Sequence, residues 1–324
     1  MAGQRTRLLA VVAAAGLVLA GCGGAGGAAG DVGRLEIMAP ADPGGGWDQT
    51  ARAMQAAIGG AGLADSVQVS NVGGAGGTVG LQKLANERSE SYLMVTGLVM
   101  VGAVETNGVD KRLEDTTPIA RLTAEDEVVV VPADSPYQTI EQLLAAVEEK
   151  GQGVTITGGS SGGTDHVLAG MLLRAKGIDP AKLNYVAYSG GGESLAALLG
   201  GKVDAGISGV GEYLEQIKAG KLRALGTSGP EEHPELKAPT FTSLGTGVEL
   251  INWRGVVAPG SIPVAAKDRL VKLVTDMHAS PQWQEELKKK GWTDTFQTGH
   301  EFSTFLTVEI GRIKPVLQEI GLVP

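Results

Sequence analysis

Residues 34–58 have the sequence RLEIMAPADPGGGWDQTARAMQAAI, in which a strand-like run, a glycine loop and a helix-like run follow one another directly. The apolar residues of Leu35–Ala39 predict a buried strand, and Pro43–Gly46 predicts the loop that ends it. Asp48 is the predicted N-cap of a helix that buries Met54 on its inner face. The stretch therefore predicts one complete strand–loop–helix unit.

The same unit recurs three times along the chain, with glycine loops at Gly73–Gly77, Gly158–Gly163 and Gly190–Gly192. Each loop follows a predicted strand and precedes a predicted helix. This alternation predicts an α/β fold in which most strands are parallel. Ligands bind at the carboxyl ends of the strands in such sheets, which is where these loops lie.

The composition of the loops is typical of an anion site built from the backbone. The first amides of a helix have no partner within it, and the helix dipole is positive at that end. Glycine also allows the backbone to approach a ligand closely. The loops contain almost no Lys or Arg, and Arg52 is the nearest cation. We therefore expect an anion to be held mainly by amides and hydroxyls.

Local signals predict further elements. The apolar run Val128–Val131 predicts a buried strand, and Pro315 is expected to kink or interrupt the last helix. Two pairs of residues have the spacing of a capping box: Thr139 with Gln142, and Thr298 with Glu301.

Composition limits the domain count and the classes of partner. The chain has 324 residues, and its folded part is expected to start near Arg34, which suits two domains better than one core. Its formal net charge is −9 without basic runs, which argues against nucleic acid and against a polybasic membrane contact. One cysteine and four scattered histidines predict no internal disulfide and no metal site. No cofactor is expected.

Residues 1–21 have the order of an export signal. Arg5 and Arg7 give a positive start, and the apolar run Leu8–Ala20 follows. Small residues then precede the single cysteine, and the apolar run is too short for a stop-transfer helix. The protein is therefore predicted to be exported.

The end of this signal, Leu19-Ala20-Gly21-Cys22, resembles the lipobox of bacterial lipoproteins. In that class the peptidase cuts before the cysteine and a lipid is attached to its sulfur. The resemblance implies lipidation of Cys22 and anchoring at the outer face of the cytoplasmic membrane, while an ordinary secretory signal is the alternative. Residues 22–33, rich in Gly and Ala, then form a flexible linker.

Two segments resemble nucleotide-binding motifs but do not match them. Gly74–Gly80 is close to the dinucleotide fingerprint, but its third glycine is one place too far along. Gly158–Thr164 has the glycine spacing of a phosphate loop, but no lysine precedes Thr164. These departures disfavour nucleotide binding.

A serine hydrolase is the alternative function. Gly158–Gly162 matches the Gly-x-Ser-x-Gly nucleophile elbow and lies between a predicted strand and a predicted helix. Ser160 would then be the nucleophile, with His278 or His300 as the base. However, Ser160 lies in a run of small residues where such a match arises easily, and both histidines lie beside or within late helices.

Several segments, in the right order over nearly the whole mature chain, resemble the receptors of tripartite tricarboxylate transporters. They are Pro43–Asp48 followed by Ala51-Arg52, Asn71–Gly77, Gly158–His166, Gly190–Glu193 with Leu198–Asp204, and Ile217–Leu225. The last segment is the most specific match. These receptors are extracytoplasmic solute-binding proteins, often of the Bug type.

The resemblance implies a type II-like periplasmic-binding fold of two lobes, each a mostly parallel sheet flanked by helices, with two hinge crossings. With crossings near Glu127 and Trp253, lobe 1 comprises residues 34–127 plus 253–324, and lobe 2 comprises residues 128–252. It also implies a monomeric receptor, not an enzyme. Such a receptor binds a tri-, di- or aromatic carboxylate and delivers it to a large and a small membrane subunit.

Carried over residue by residue, the resemblance implies binding loops on both lobes. One lobe would contribute Gly45, Gly46, Trp47, Asp48, Gly76, Gly77 and Thr78, and the other Ser160, Ser161, Thr164, Asp165 and Gly191. Asp48 and Asp165 are expected to cap helices instead of contacting the anion, because like charges repel. Trp47 is the candidate for ligand selection.

Overall fold

The computed structural model describes residues 32–324, so the predicted signal, Cys22 and most of the linker lie outside the described residues. The strands are β1 (Arg34–Ala39), β2 (Ser66–Asn71), β3 (Tyr92–Gly97), β4 (Thr117–Pro132), β5 (Thr155–Gly158), β6 (Asn184–Ala187), β7 (Ala205–Gly209), β8 (Leu222–Thr227), β9 (Ile251–Ala258) and β10 (Thr293–Thr298). The α-helices are α1 (Gly46–Gly60), α2 (Thr78–Asn86), α3 (Leu98–Thr106), α4 (Ile140–Lys150), α5 (Thr164–Ala175), α6 (Gly191–Leu199), α7 (Val210–Lys218), α8 (Val264–Ala279), α9 (Pro281–Lys290) and α10 (Gly299–Glu319). Over this part of the chain, none of the helices combines the length and the apolar character that a membrane span requires.

One continuous sheet connects two groups of strands, in the order β2-β1-β3-β9-β4-β7-β5-β6, with β8 and β10 also paired to β4. The first half of β4 pairs with β9 and β10, and from Glu127 onward it pairs with β7 and β8. The change of partner from Asp126 to Glu127 is where the sheet passes from one group to the other. The lobe boundaries given above stay a prediction.

The α/β class is confirmed, but the sheet is more mixed than the expected mostly parallel one. Parallel pairs join β1 to β2 and β3, and β5 to β6 and β7. The central pairs around β4 and β9 are antiparallel. These two strands cross between the groups in opposite directions, so they cannot be parallel to each other.

Apolar side chains cover both faces of the sheet. Strand β3 is buried along its whole length, and α1 and α3 both contact it. Trp253 of β9 packs edge-to-face against Phe302 and Phe305, and its indole N–H donates to Glu309 at 3.1 Å. These contacts fix α10 against the central strands.

Helix α1 begins differently from the prediction, because Gly45 and not Asp48 is its N-cap. The glycine run Gly44–Gly46 allows the helix to begin three residues before the predicted point. Asp48 then lies in the first turn, where its carboxylate accepts a hydrogen bond from the Gly44 amide at 2.8 Å. The carboxylate therefore still satisfies a loop amide. Likewise, Asp165 lies inside α5, whose N-cap is Gly163.

The strand predicted at Val128–Val131 is part of a longer one, since β4 has 16 residues. The acidic run Glu125–Glu127 resembles a loop in sequence, yet it continues the pairing with β9 and β7. The interruption expected at Pro315 does not occur, because α10 continues to Glu319. Pro315 has no N–H to donate to the carbonyl of Gly311, four residues earlier. Gly311 is exposed, so water can donate to that carbonyl instead.

Two serine and threonine positions allow a test of helix capping. The Ser280 hydroxyl accepts a hydrogen bond from the Trp283 amide at 3.3 Å and caps α9. The capping box predicted at Thr298 is wrong, because the Thr298 side chain makes no cap hydrogen bond at the start of α10. We expect Ser280→Ala to lower the free energy of unfolding by about 1 kcal/mol and Thr298→Ala by only a few tenths. Urea unfolding of both variants measures the difference, and equal losses would contradict the assignment.

Candidate functional site

A cleft of about 770 Å³, including the space at its mouth, lies where the glycine loops of the two groups of strands meet. The loops follow β1, β2, β5 and β6, and they lead directly or through one short turn into α1, α2, α5 and α6. Nine of the predicted site residues line it: Gly45, Gly46, Trp47, Gly76, Gly77, Ser160, Thr164, Asp165 and Gly191. Asp48, Thr78 and Ser161 do not. The cleft therefore brings together most of the predicted residues, and their contact with a ligand stays a prediction.

The three predicted residues outside the wall have other surroundings. Asp48 is buried beneath its loop and accepts hydrogen bonds from Gly44, Arg52 and Asn71. Burial alone would raise the pKa of Asp48, but these three hydrogen bonds lower it below its ordinary value. Thr78 is also buried and donates to the Ala75 carbonyl at 3.0 Å, while Ser161 is exposed on a neighbouring groove.

Trp47 combines packing with exposure to the cleft. A Cβ added at Gly77 would lie 2.5 Å from its ring, and Gly77 has a φ of +87° that favours glycine. Only 7% of Trp47 is exposed. The ring therefore forms the base of the wall beside α1, and its predicted part in ligand selection stays a prediction.

On the opposite wall, the N-terminus of α5 presents an unsatisfied hydroxyl. Thr164 is 1% exposed and lines the cleft, yet its Oγ1 has no hydrogen-bond partner within residues 32–324. The neighbouring Asp165 accepts from the Gly159 amide at 2.5 Å. A buried hydroxyl without a partner is costly, so Thr164 has an unused hydrogen-bonding group beside the cleft, and its contact with a ligand stays a prediction.

Sequence reasoning missed the charged floor of the cleft. Arg254 and Asn252 of β9 and Glu212 of α7 line the cavity, and Glu125 of β4 forms an ion pair with Arg254. Both partners of this pair are 4% exposed. Charged residues inside the apolar segments 124–131 and 251–258 are the signal that could have found them.

The floor carries more carboxylates than cations. Arg254 lies over the Trp292 ring at 5.3 Å, and Asn252 donates to Glu127 at 2.7 Å. Burial raises the pKa of Glu127 well above its ordinary value, and the neighbouring Asp165 raises it further. Burial likewise raises the pKa of Glu212 to about 7, with repulsion from Glu125 as the next cause.

The geometry does not complete a hydrolase. No histidine lies in the cleft wall formed by the described residues. His166 accepts from the Gly162 amide at 3.2 Å and stacks on Tyr185, and burial lowers its pKa to about 4. His278 pairs with Asp294 at 2.8 Å. The serine hydrolase alternative therefore lacks a base for Ser160 in the cleft wall of the described residues.

A metal centre is not supported either. Residues 32–324 contain no cluster of His, Cys, Asp and Glu arranged to hold a metal ion.

Comparison with known proteins gives a family match over most of the chain. Residues 50–322 match the family model described as "Tripartite tricarboxylate transporter family receptor". A protein from Pseudomonas sp. strain P51, named for the tcbD-tcbE intergenic region, is 29% identical over 260 residues, which is 78% of this chain and 76% of that protein.

Solved structures share the fold. The periplasmic binding protein BugD superposes with a TM-score of 0.79 at 23% identity, covering 90% of this chain and 98% of BugD. MatC from Rhodopseudomonas palustris, solved with bound malate, superposes with a TM-score of 0.78 at 22% identity, covering 88% of this chain and 99% of MatC. At these identities the likeness establishes the fold alone, and it confirms the predicted two-lobed periplasmic-binding fold.

Proposed function

This chain belongs to the tripartite tricarboxylate transporter receptor family, and we propose that it captures a small carboxylate in the cleft and delivers it to a membrane transporter. As a member of that family it is a solute-binding receptor and not an enzyme. The observation that carries the proposal is the convergence of helix N-termini from both groups of strands on one cleft. Their free amides and positive dipole ends suit a carboxylate.

Two features of the cleft and one related structure support this ligand class. The N-cap glycines of α1 and α6, Gly45 and Gly190, line the wall, as does the first residue of α5, Thr164. Ser160 adds a hydroxyl, and the buried Thr164 hydroxyl lacks any partner among the described residues. MatC, which shares the fold, holds malate in its solved structure. A tri-, di- or aromatic carboxylate is therefore the proposed ligand class.

Delivery to a large and a small membrane subunit completes the proposal. The receptor is exported, and we further propose that a lipid on Cys22 holds it, as a monomer, at the outer face of the cytoplasmic membrane. The single cysteine in a lipobox-like sequence supports this anchor. Detergent-phase partitioning of the full chain and of Cys22→Ser tests it, and an equal distribution of both proteins would rule the anchor out.

The unpartnered hydroxyl of Thr164 gives the direct test of the site. We expect Thr164→Val to weaken carboxylate binding about tenfold or more, because a hydrogen bond to a charged group contributes about 1.5–3 kcal/mol. The free energy of unfolding without ligand should stay the same or rise, because the variant removes a buried unpaired group. Calorimetric titration with di-, tri- and aromatic carboxylates measures the first effect, and urea unfolding measures the second.

A matched control separates ligand contact from general damage. Thr307→Val makes the same change on the exposed face of α10, away from the cleft, and should leave binding unchanged. If the parent protein binds no carboxylate in the series, the proposed function is wrong. If the parent binds and Thr164→Val binds equally well, the function stands but Thr164 is not a ligand contact.

A further inference from the structure

Glu212 places a carboxylate at the N-terminus of α6, in the position where the fourth glycine loop would otherwise receive an anion. A Cβ added at Gly191 would collide with this carboxylate and lie 2.6 Å from the Ser208 hydroxyl. Ser208 donates to Glu212 at 2.9 Å, and both residues line the cleft. The chain therefore places one of its own carboxylates where an anion would otherwise lie at this helix N-terminus.

The groups around Glu212 leave it without a cation of its own. Glu125 of β4 and Asp165 of α5 add negative charge nearby. Arg254 of β9 faces the same space, but its guanidinium is paired with Glu125 and lies over Trp292. Among the described residues, the ion pairs do not include Glu212. The carboxylate is part-buried, and Arg254 compensates its charge only in part.

Three lysines line a groove next to the cleft, and each interacts with a residue other than Glu212. An adjacent groove shares Glu212 and Arg254 with the cleft, and Lys218, Lys289 and Lys290 line it. Lys218 pairs with Glu235, Lys289 pairs with Glu286 at 3.7 Å, and Lys290 donates to Gln49 at 3.2 Å. None of these lysines therefore supplies the partner that Glu212 lacks inside the cleft.

We propose that the ligand of this cleft carries a protonated amine in addition to its carboxylate, and that Glu212 selects it by pairing with that amine. This inference rests on the proposed function, because it concerns the same cleft. The ligand carboxylate would meet the amides and hydroxyls at α1 and α5, where Thr164 has a free hydroxyl. A second carboxylate placed beside Glu212 would instead meet a like charge that is poorly screened. A small amino carboxylate fits both ends.

Matched pairs of ligands test the proposal by calorimetry. Succinate is compared with 3-aminopropanoate and with aspartate, and glutarate with 4-aminobutyrate and with glutamate. We expect the tightest ligand in each set to contain an amine. We expect Glu212→Gln to weaken that ligand about tenfold or more, as for a charge-assisted hydrogen bond. The dicarboxylates without an amine should bind the variant as well as, or better than, they bind the parent.

A control on the same helix excludes an unspecific charge effect. Glu215→Gln makes the identical change three residues along α7, at a side chain that is 82% exposed and outside the cleft wall, and should leave every affinity unchanged. Binding of the amino ligand to the parent should also strengthen by about tenfold between pH 6 and 8, since only ionised Glu212 pairs with an ammonium group. This pH dependence should be lost in Glu212→Gln.

The outcomes separate this inference from the function on which it rests. Tighter binding of succinate or glutarate than of their amino counterparts would overturn the amine proposal and leave the carboxylate receptor intact. Equal weakening of all ligands by Glu212→Gln would assign Glu212 a structural part and would also overturn it. If neither class binds the parent, both proposals fail.

Discussion

Replacement of Arg254 by methionine is expected to lower the free energy of unfolding by about 3–5 kcal/mol, because it leaves a buried carboxylate without its cation. Arg254 and Glu125 are each 4% exposed and form an ion pair between neighbouring strands β9 and β4. Without the guanidinium, Glu125 would lie close to Glu127 and Glu212 and would lose its ion-pair partner. Urea unfolding followed by linear extrapolation measures the loss.

A second pair and a double variant show whether burial is the cause. Arg269 forms an ion pair with Glu90, but both side chains are more than 40% exposed, so Arg269→Met should cost less than about 1 kcal/mol. The double variant Glu125→Gln with Arg254→Met should be more stable than Arg254→Met alone, since it removes the unpaired charge. A loss below 1 kcal/mol for Arg254→Met would mean that water or another group solvates Glu125.

The main elements of the fold were predictable because their signals are local. The four strand–glycine loop–helix units depend on apolar runs and on glycine, and β1, β2, β5 and β6 with their following helices appear where these signals place them. The same units predicted that the loops lie at the carboxyl ends of strands. The meeting of loops from two lobes in one cleft was implied by the resemblance to tripartite tricarboxylate transporter receptors. Errors at this level concern exact boundaries, such as Gly45 replacing Asp48 as the N-cap of α1.

The charged floor could not be predicted in the same way, since its contacts join distant parts of the chain. Glu125 meets Arg254 across 129 positions, and Glu127 meets Asn252 across 125. In isolation, an acidic run such as Glu125–Glu127 is typical of a solvated loop, because each carboxylate is costly to bury without a partner. Only the crossing of β4 and β9 supplies the partners. The residues that distinguish this cleft from a simple anion site are therefore the ones that local patterns hide.

The stability of the ligand-free protein is expected to depend on pH through Glu212. Burial raises the pKa of Glu212 in the folded protein to about 7 from its ordinary value of 4.5. Between these values the unfolded chain has lost the proton while the folded protein still holds it. The unfolded state therefore binds fewer protons, and the contribution of Glu212 to the free energy of unfolding falls as the pH rises.

We expect the difference in unfolding free energy between Glu212→Gln and the parent to grow with pH. It should be near zero at pH 4.5, where Glu212 is protonated in the folded protein and resembles glutamine, and it should reach up to about 3 kcal/mol in favour of the variant by pH 7.5. The difference between the two proteins is compared, and not the stability of the parent alone, because His166 changes the free energy of unfolding with pH in the opposite direction. Burial lowers the pKa of His166 to about 4, so its contribution is lost as the pH falls below 6.5, equally in both proteins.

Urea unfolding at half-unit steps from pH 4.5 to 7.5 measures this difference, with Glu215→Gln as the exposed control that should show none. A constant difference across the range would mean that Glu212 is ionised throughout and that a group within the protein already compensates it. A growing difference would mean that the ionised Glu212 carboxylate lowers the free energy of unfolding of the ligand-free protein. A ligand amine that pairs with Glu212 would then offset this destabilisation on binding. The pH dependence of stability and the proposed selection of an amino carboxylate therefore depend on the same residue.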